Sequence, residues 1–226
     1  MMTSSSAVCC AQQENRRSHT ITRVAQTADP SGALPHPPGN GTFVLMLISC
    51  VIFILDNLLH VPGIQFLYLH NANVQWWQLI THQFCHGNLA HLSSNLFQLC
   101  VFGRFVEETE GFWGVIGIYL ITGVGAALAS MICLPKSVGV GASGAIFGLF
   151  ATSVLRRVSE GWSLKSLLEA VVLGNFVIRQ LLEEMRMQVV GGSAVHSGGL
   201  QVAHAAHLGG ALAGILLILF LSKLPK

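Results

Sequence analysis

Repeated apolar stretches, each near the roughly 20 residues a helix needs to cross a bilayer, constrain this chain more than any other feature of it. They run from Phe43 to Leu59, Leu89 to Phe105, Phe112 to Leu134, Ala142 to Leu155 and Gln201 to Leu221. A further stretch, Trp162 to Leu182, is interrupted by Lys165, Glu169, Asn175 and Arg179. Its polar groups must face protein, water or headgroups, because a charge at mid-bilayer costs about 3 kcal/mol on insertion scales. With 52% hydrophobic residues, 10% charged residues and a mean hydropathy of +0.60, the chain cannot cover itself with a soluble surface. The expected fold class is an all-α polytopic membrane protein with six transmembrane helices.

The segments between the spans divide the chain into a tail, residues 1–40, and a membrane domain, residues 41–226. The tail holds Arg16, Arg17, Arg23 and several prolines with few acids and no apolar core. It reads as unstructured, either a plastid-type transit peptide or an ordinary disordered tail. Residues 61–88 carry Trp76, Trp77, His82 and His86 without one Lys, Arg, Asp or Glu, and are expected to form a long loop lying at one membrane face. Six spans put both termini on one side. Of the 12 Lys and Arg residues, only Lys136, Arg179 and Arg186 then fall on the opposite side, which assigns the side of the termini to cytosol or stroma. At a ~1.5 Å rise per residue, Ser143 sits ~20 Å above Arg156 and His207 ~24 Å above Lys223, at similar depths below the far face. The net charge of +2 and the lack of a basic run with interleaved aromatics argue against a nucleic-acid partner. The six cysteines show no CxxC spacing and read as free thiols.

Three stretches carry chemistry. Val138 to Gly148 places Ser143 among small residues, where a chain turning into a helix near Ala142 would aim unpaired N–H groups and a positive dipole end at an anion beside the serine. His91 and Asn95, four apart, share a helix face within an otherwise apolar span. His207 lies in the last span and stays neutral in apolar surroundings, as a general base must. A nucleophile needs a base and oxyanion donors. Ser143 and His207 form the candidate dyad, and His91, Asn95 and the Ser143 backbone N–H are candidate donors. No aspartate is spaced to complete a triad.

These residues resemble the rhomboid intramembrane serine proteases over about residues 41–224. His82, His86, His91 and Asn95 match the second-helix pattern of that family, Gly141-Ala142-Ser143-Gly144 its GxSG motif, and Ala206-His207-Leu208-Gly209-Gly210 through Gly214 its last-helix motif. The resemblance implies that Ser143 is the nucleophile and His207 the base. It implies further that Gly210 and Gly214 pack against the serine helix, and that His82 and His86 organise the loop and water access. Gly103-Arg104 with Glu107 looks like the turn after helix two, and residues 164–184 look most like a plastid branch. Two positions depart from the pattern. Gln78 stands where the family often has a loop-anchoring Arg, and Phe147 where it often has Tyr, so Phe147 can stack under the histidine without donating a hydrogen bond. His204 shares a helix face with His207 but lacks the glycines that follow the motif.

The implied activity is endoproteolysis in or beside the transmembrane segments of other membrane proteins, with the lipid bilayer as the medium, no cofactor and no metal. Residues 61–88 and the fifth span are candidates for a gate. A catalytically inactive relative that binds membrane clients is the alternative. A metal site built from His82, His86, His91, His204 and His207 is a further one, without an acidic or Cys ligand or HExxH to support it. Trp76 and Trp77 read as interface anchors, and Glu107, Glu108 and Glu110 as a solvated helix end.

Overall fold

Gly111 divides the longest helix of the chain. The computed structural model describes residues 39–159, single residues within 171–182, and residues 199–221. α1, Gly41–Phe53, continues into one π-turn, Ile54–Leu58. The connection that follows holds two 3-10 turns, Ile64–Leu67 and His82–Phe84, a short strand β1, Leu69–His70, and the single-turn helix α2, Gln78–Thr81. Helix Leu89–Cys133 is broken at Gly111 (φ 74°, ψ −176°), a conformation that favours glycine. Its halves are α3, residues 89–110, and α4, residues 112–133. A strand β2, Val138–Gly139, then leads into α5, Ser143–Ser159, and the described chain closes with α6, Gly199–Leu221.

α4 runs back toward the start of α3. The Tyr119 hydroxyl donates to the Gln83 carbonyl at 3.0 Å, and the Gln83 side chain lies against Gly123, so the middle of α4 lies beside the residues that precede α3. The expected second and third spans are thus one hairpin turned on a single glycine. The Leu89–Cys133 hairpin, α5 and α6 pack on one another and α1 packs on the hairpin, around a core of Leu45, Leu99, Phe102, Tyr119, Ile146 and Leu149. Outward faces are apolar too, with Leu47, Trp113, Ile132, Leu208 and Phe220 exposed, the inverse of a water-soluble surface. Gly41–Leu58 and Leu89–Cys133 are long and apolar enough to cross a membrane.

Among the described residues, α1, α3, α4, α5 and α6 correspond to five of the six expected spans. The remaining one, residues 162–182, lies mostly outside the described residues; within it residues 171, 174, 175, 178, 179 and 182 are helical, and Gly174 approaches the Phe150 ring. The expected tail, except residues 39 and 40, and the side chain of His204 also lie outside the described residues.

Glu107 corrects the expectation of a solvated helix end. It is 2% exposed and its carboxylate accepts from Gly41 N at 2.6 Å, Thr42 N at 3.2 Å and Thr42 Oγ1 at 2.8 Å. The first turn of any helix leaves its N–H groups without intrahelical partners, and Glu107 satisfies them from the neighbouring helix, with Arg104 alongside at 3.5 Å. Glu110 pairs with Arg156 at 2.5 Å, tying α3 to α5, and only Glu108 is exposed as expected. Glu107→Ala strands these buried donors and is expected to lower stability by about 2–3 kcal/mol, with Glu107→Gln costing less, as read by thermal unfolding in mild detergent. A loss below about 0.5 kcal/mol would mean that water replaces the carboxylate without penalty.

Candidate active site

Ser143 opens α5. The Ile146 N–H donates to the Ala142 carbonyl at 3.0 Å as the first intrahelical bond, so the N–H groups of the first α5 turn point away from the helix body. Gly141, two residues before it, has φ 122°, a value open to glycine that lets the chain turn from β2 into the helix over residues 140–142. Its N–H donates to the His82 carbonyl at 3.0 Å. Ala142 is buried and Ser143 half-buried.

Two neighbours grip α5 at backbone distance. A Cβ on Gly210 would run into the Gly144 carbonyl, and one on Gly214 would lie 2.6 Å from the Gly148 carbonyl, so α6 lies directly on the α5 backbone. On the other flank a Cβ on Gly144 would strike Ala126 of α4 and one on Gly148 would strike Thr122, whose hydroxyl also reaches the Ala145 carbonyl at 3.2 Å. Gly209 lies against Gly125 and Ala129 of α4, so α6 uses adjacent glycines on two helices at once. Only the Gly210/Gly214 face was anticipated; the paired small residues Gly125 and Gly209 were a signal available in the sequence.

This packing brings His207 to the serine helix. Its ring stacks on Phe147 with centroids 4.4 Å apart and planes 17° apart, and it is 3% exposed. Phe147 lies four residues after Ser143 and shares its helix face, while the Ala206 carbonyl lies 3.4 Å from where a Cβ on Gly144 would sit. The dyad candidates therefore flank the same Gly144 to Phe147 turn.

His91 and Asn95 approach from α3. A Cβ on Gly141 would lie 2.8 Å from both Cε1 and Nε2 of His91, so the imidazole covers the turn before Ser143. Asn88 caps α3, accepting from His91 N at 2.8 Å. Asn95 is 1% exposed, donates to the His91 carbonyl at 2.9 Å, and its Oδ1 is buried without a partner among the described residues. His86 packs edge-on against His91 at 5.1 Å and its carbonyl accepts from Asn57 at 3.0 Å. His82 Nδ1 lies 2.7 Å from the Gln78 carbonyl. Among the described residues, no three His, Cys, Asp or Glu side chains gather as metal ligands would.

Gln78 replaces the anchoring charge with a neutral amide that uses both ends. Nε2 donates to the Phe66 carbonyl at 3.1 Å, and Oε1 accepts from His70 N at 3.3 Å and Gln75 N at 3.2 Å. Trp77 adds a bond from its indole N–H to the same Phe66 carbonyl at 3.2 Å, and Trp76 is exposed.

Burial drives His82 down from 6.5 to about 4, against the opposing Gln78 carbonyl. His86 falls to about 3 through burial and then the neighbouring His91, against the Phe84 carbonyl. Burial followed by nearby Asp56 pushes the Cys85 thiol up to about 12, which leaves it unreactive. Both imidazoles are therefore neutral in the folded chain. As pH falls below 6.5 the unfolded chain takes up protons that the folded chain refuses, so stability is level above about pH 7 and declines toward pH 5. A His82→Gln/His86→Gln variant should show a flatter melting profile over that window, and an equal slope would exclude these two groups. Gly210→Ala is expected to cost about 2 kcal/mol or more, because a methyl meets backbone that cannot yield. It should also loosen the Phe147–His207 stack, measurable as a changed His207 ring-proton shift.

The family profile described as the rhomboid domain matches residues 73–224. The chain is 46% identical over 195 residues to Rhomboid-like protein 11, chloroplastic, of Arabidopsis thaliana, covering 85% of this chain and 69% of that protein. It is 35% identical over 153 residues to RHOMBOID-like protein 6, mitochondrial, of the same plant, covering 66% and 45%. With Rhomboid protease AarA of Providencia stuartii it shares 29% over 158 residues, 63% of this chain and 54% of that one. The chain thus spans about half the length of the last two. Helices that bury glycines against one another while exposing apolar faces, in a sequence matched along two thirds of its length, belong to an integral membrane protein of the rhomboid family.

Proposed function

We propose that the chain is an intramembrane serine endopeptidase that cuts the transmembrane segments of other membrane proteins. Ser143 Oγ attacks the scissile carbonyl while His207 takes its proton. The tetrahedral oxyanion is held by the Ser143 N–H and by side-chain donors from His91 and Asn95. Collapse breaks the C–N bond, with His207 returning the proton to the leaving amine. Water then attacks the acyl-enzyme, passing its proton to His207, and Ser143 is released. The observation that carries this reading is the contact of Gly210 with the Gly144 backbone together with the Phe147–His207 stack. With His91 over Gly141, three independent stretches meet at the first turn of α5, whose unpaired N–H groups suit an anion.

The remaining parts of the reading follow from the same assignment. The bundle has six spans, with residues 162–182 as the fifth, and residues 61–88 lie at the membrane face where Trp76 and Trp77 meet headgroups. Residues 1–40 act as a transit peptide, and a plastid membrane is the site of action, in keeping with the chloroplastic relative. A substrate helix must unwind to expose a carbonyl, so clients carry Gly, Pro or other helix-weakening residues near the cut. Residues 61–88 are tied on both flanks, by Asn57 to His86 and by β1 to β2, which favours the fifth span as the point of entry.

In proteoliposomes, a single-span client with such a segment should be cleaved by the wild-type chain. Ser143→Ala and His207→Ala should each lower cleavage by about three orders of magnitude or more. A serine-directed fluorophosphonate should label the wild type and not Ser143→Ala. Client capture without cleavage and without labelling would instead identify an inactive client-binding member of the family.

A further inference from the structure

Asn71 makes more side-chain hydrogen bonds than its short amide would suggest, one to the last turn of α4 and two to the segment that leads to Ser143. Its Nδ2 lies 3.1 Å from Ser130 Oγ, 2.8 Å from the Leu134 carbonyl and 2.8 Å from Ser137 Oγ. Its backbone N–H donates to the Ser137 carbonyl at 3.1 Å. The residue is 8% exposed, and Oδ1 is buried with no partner among the described residues. The orientation of the amide follows from its surroundings. Turned over, it would set its oxygen against the Leu134 carbonyl, so the two amide hydrogens must serve the three oxygens.

The place of these bonds in the chain gives them their consequence. Leu134 caps α4, where a carbonyl has no intrahelical donor, and Asn71 adds a donor from across the fold to those of Ser137. Ser137 leads directly into β2, where Val138 and Gly139 pair with His70 and Leu69. Gly141 is then held by the His82 carbonyl, and Ser143 begins α5 two residues later. Asn71 sets the start of the path from α4 to the serine, residues 134–142, and the ladder and Gly141 carry that setting forward. Ser137 itself bonds the Leu134 carbonyl through its N–H at 3.3 Å and its Oγ at 3.1 Å, a local turn that Asn71 anchors from across the fold. Serine in place of Asn71 could donate only once, and aspartate would turn acceptors toward acceptors.

We propose that Asn71 is a positioning residue for the nucleophile, acting through Leu134 and Ser137 to set the direction in which Ser143 leaves the turn. The role rests on the serine-protease reading above. It differs from simple stabilisation in that it governs the reactivity of Ser143 in molecules that are fully folded.

The test measures, in the full chain in detergent, the second-order rate at which a fluorescent alkyl fluorophosphonate labels Ser143, per folded molecule, well below each variant's melting temperature. In that reaction the Ser143 oxygen bonds phosphorus, fluoride leaves, and His207 receives the proton. Asn71→Ala and Asn71→Asp should label about tenfold more slowly than wild type, and Ser137→Ala about threefold more slowly, since small displacements of a reacting group cost rate steeply. On a transmembrane client, kcat should fall in step while KM stays within about twofold. Variants that melt lower but label at the wild-type rate would overturn the role. Should the Asn71 variants not fold, Ser137→Ala decides by the same comparison. A wild type labelled no faster than Ser143→Ala would overturn the protease reading itself, and this role with it.

Discussion

Contact between glycine backbones on neighbouring helices is the interaction on which the rest of this structure depends. In a bilayer, lipid tails solvate Leu and Phe as well as another helix does, so helices associate by how closely they can approach. α5 carries Gly144 and Gly148 one turn apart, and each is covered on one side by a glycine of α6 and on the other by a small or β-branched residue of α4. At this separation neither helix can slide without driving atoms into a backbone. The register of His207 against Phe147, and so against the turn that begins with Ser143, is a consequence of that packing.

Polar groups inside so apolar a molecule each have a backbone duty. Glu107 meets the first N–H groups of α1, Asn71 meets the last carbonyl of α4, Gln78 meets three loop groups, and Thr122 reaches across to the Ala145 carbonyl. The common reason is that a peptide group without a partner is costly where water is scarce, and helix ends and loops are where such groups collect. The connection between α1 and α3 is held by these bonds on both flanks. It forms part of the frame around the serine.

How much could be read beforehand follows the same division. Apolar runs located the helices of the described region to within a few residues, because the bilayer imposes a length. Motif spacing singled out Ser143, His207, His91 and Asn95, because only certain side chains can serve as nucleophile, base and donors. Glu107 was misread as solvated, since an acid at the end of an apolar run looks the same whether it meets water or the start of another helix. Gln78 was read as a lost anchor, whereas its amide bonds the loop from both ends. Asn71 drew no notice at all, because an asparagine in a polar loop has no local signature of its distant acceptors.

The sequence by itself determined that the chain is a bundle of membrane helices carrying a serine, two histidines and an asparagine at related depths. Hydropathy and helical periodicity depend only on neighbours along the chain. Tertiary structure alone decided which glycine meets which backbone, that α4 returns on Gly111 to lie beside Gln83, and that residues 69–71 hold the strand before Ser143. Those facts depend on close approach between residues far apart in the chain, 66 positions for Glu107 with Gly41 and for Asn71 with Ser137. Short-range patterns carry no record of such pairs.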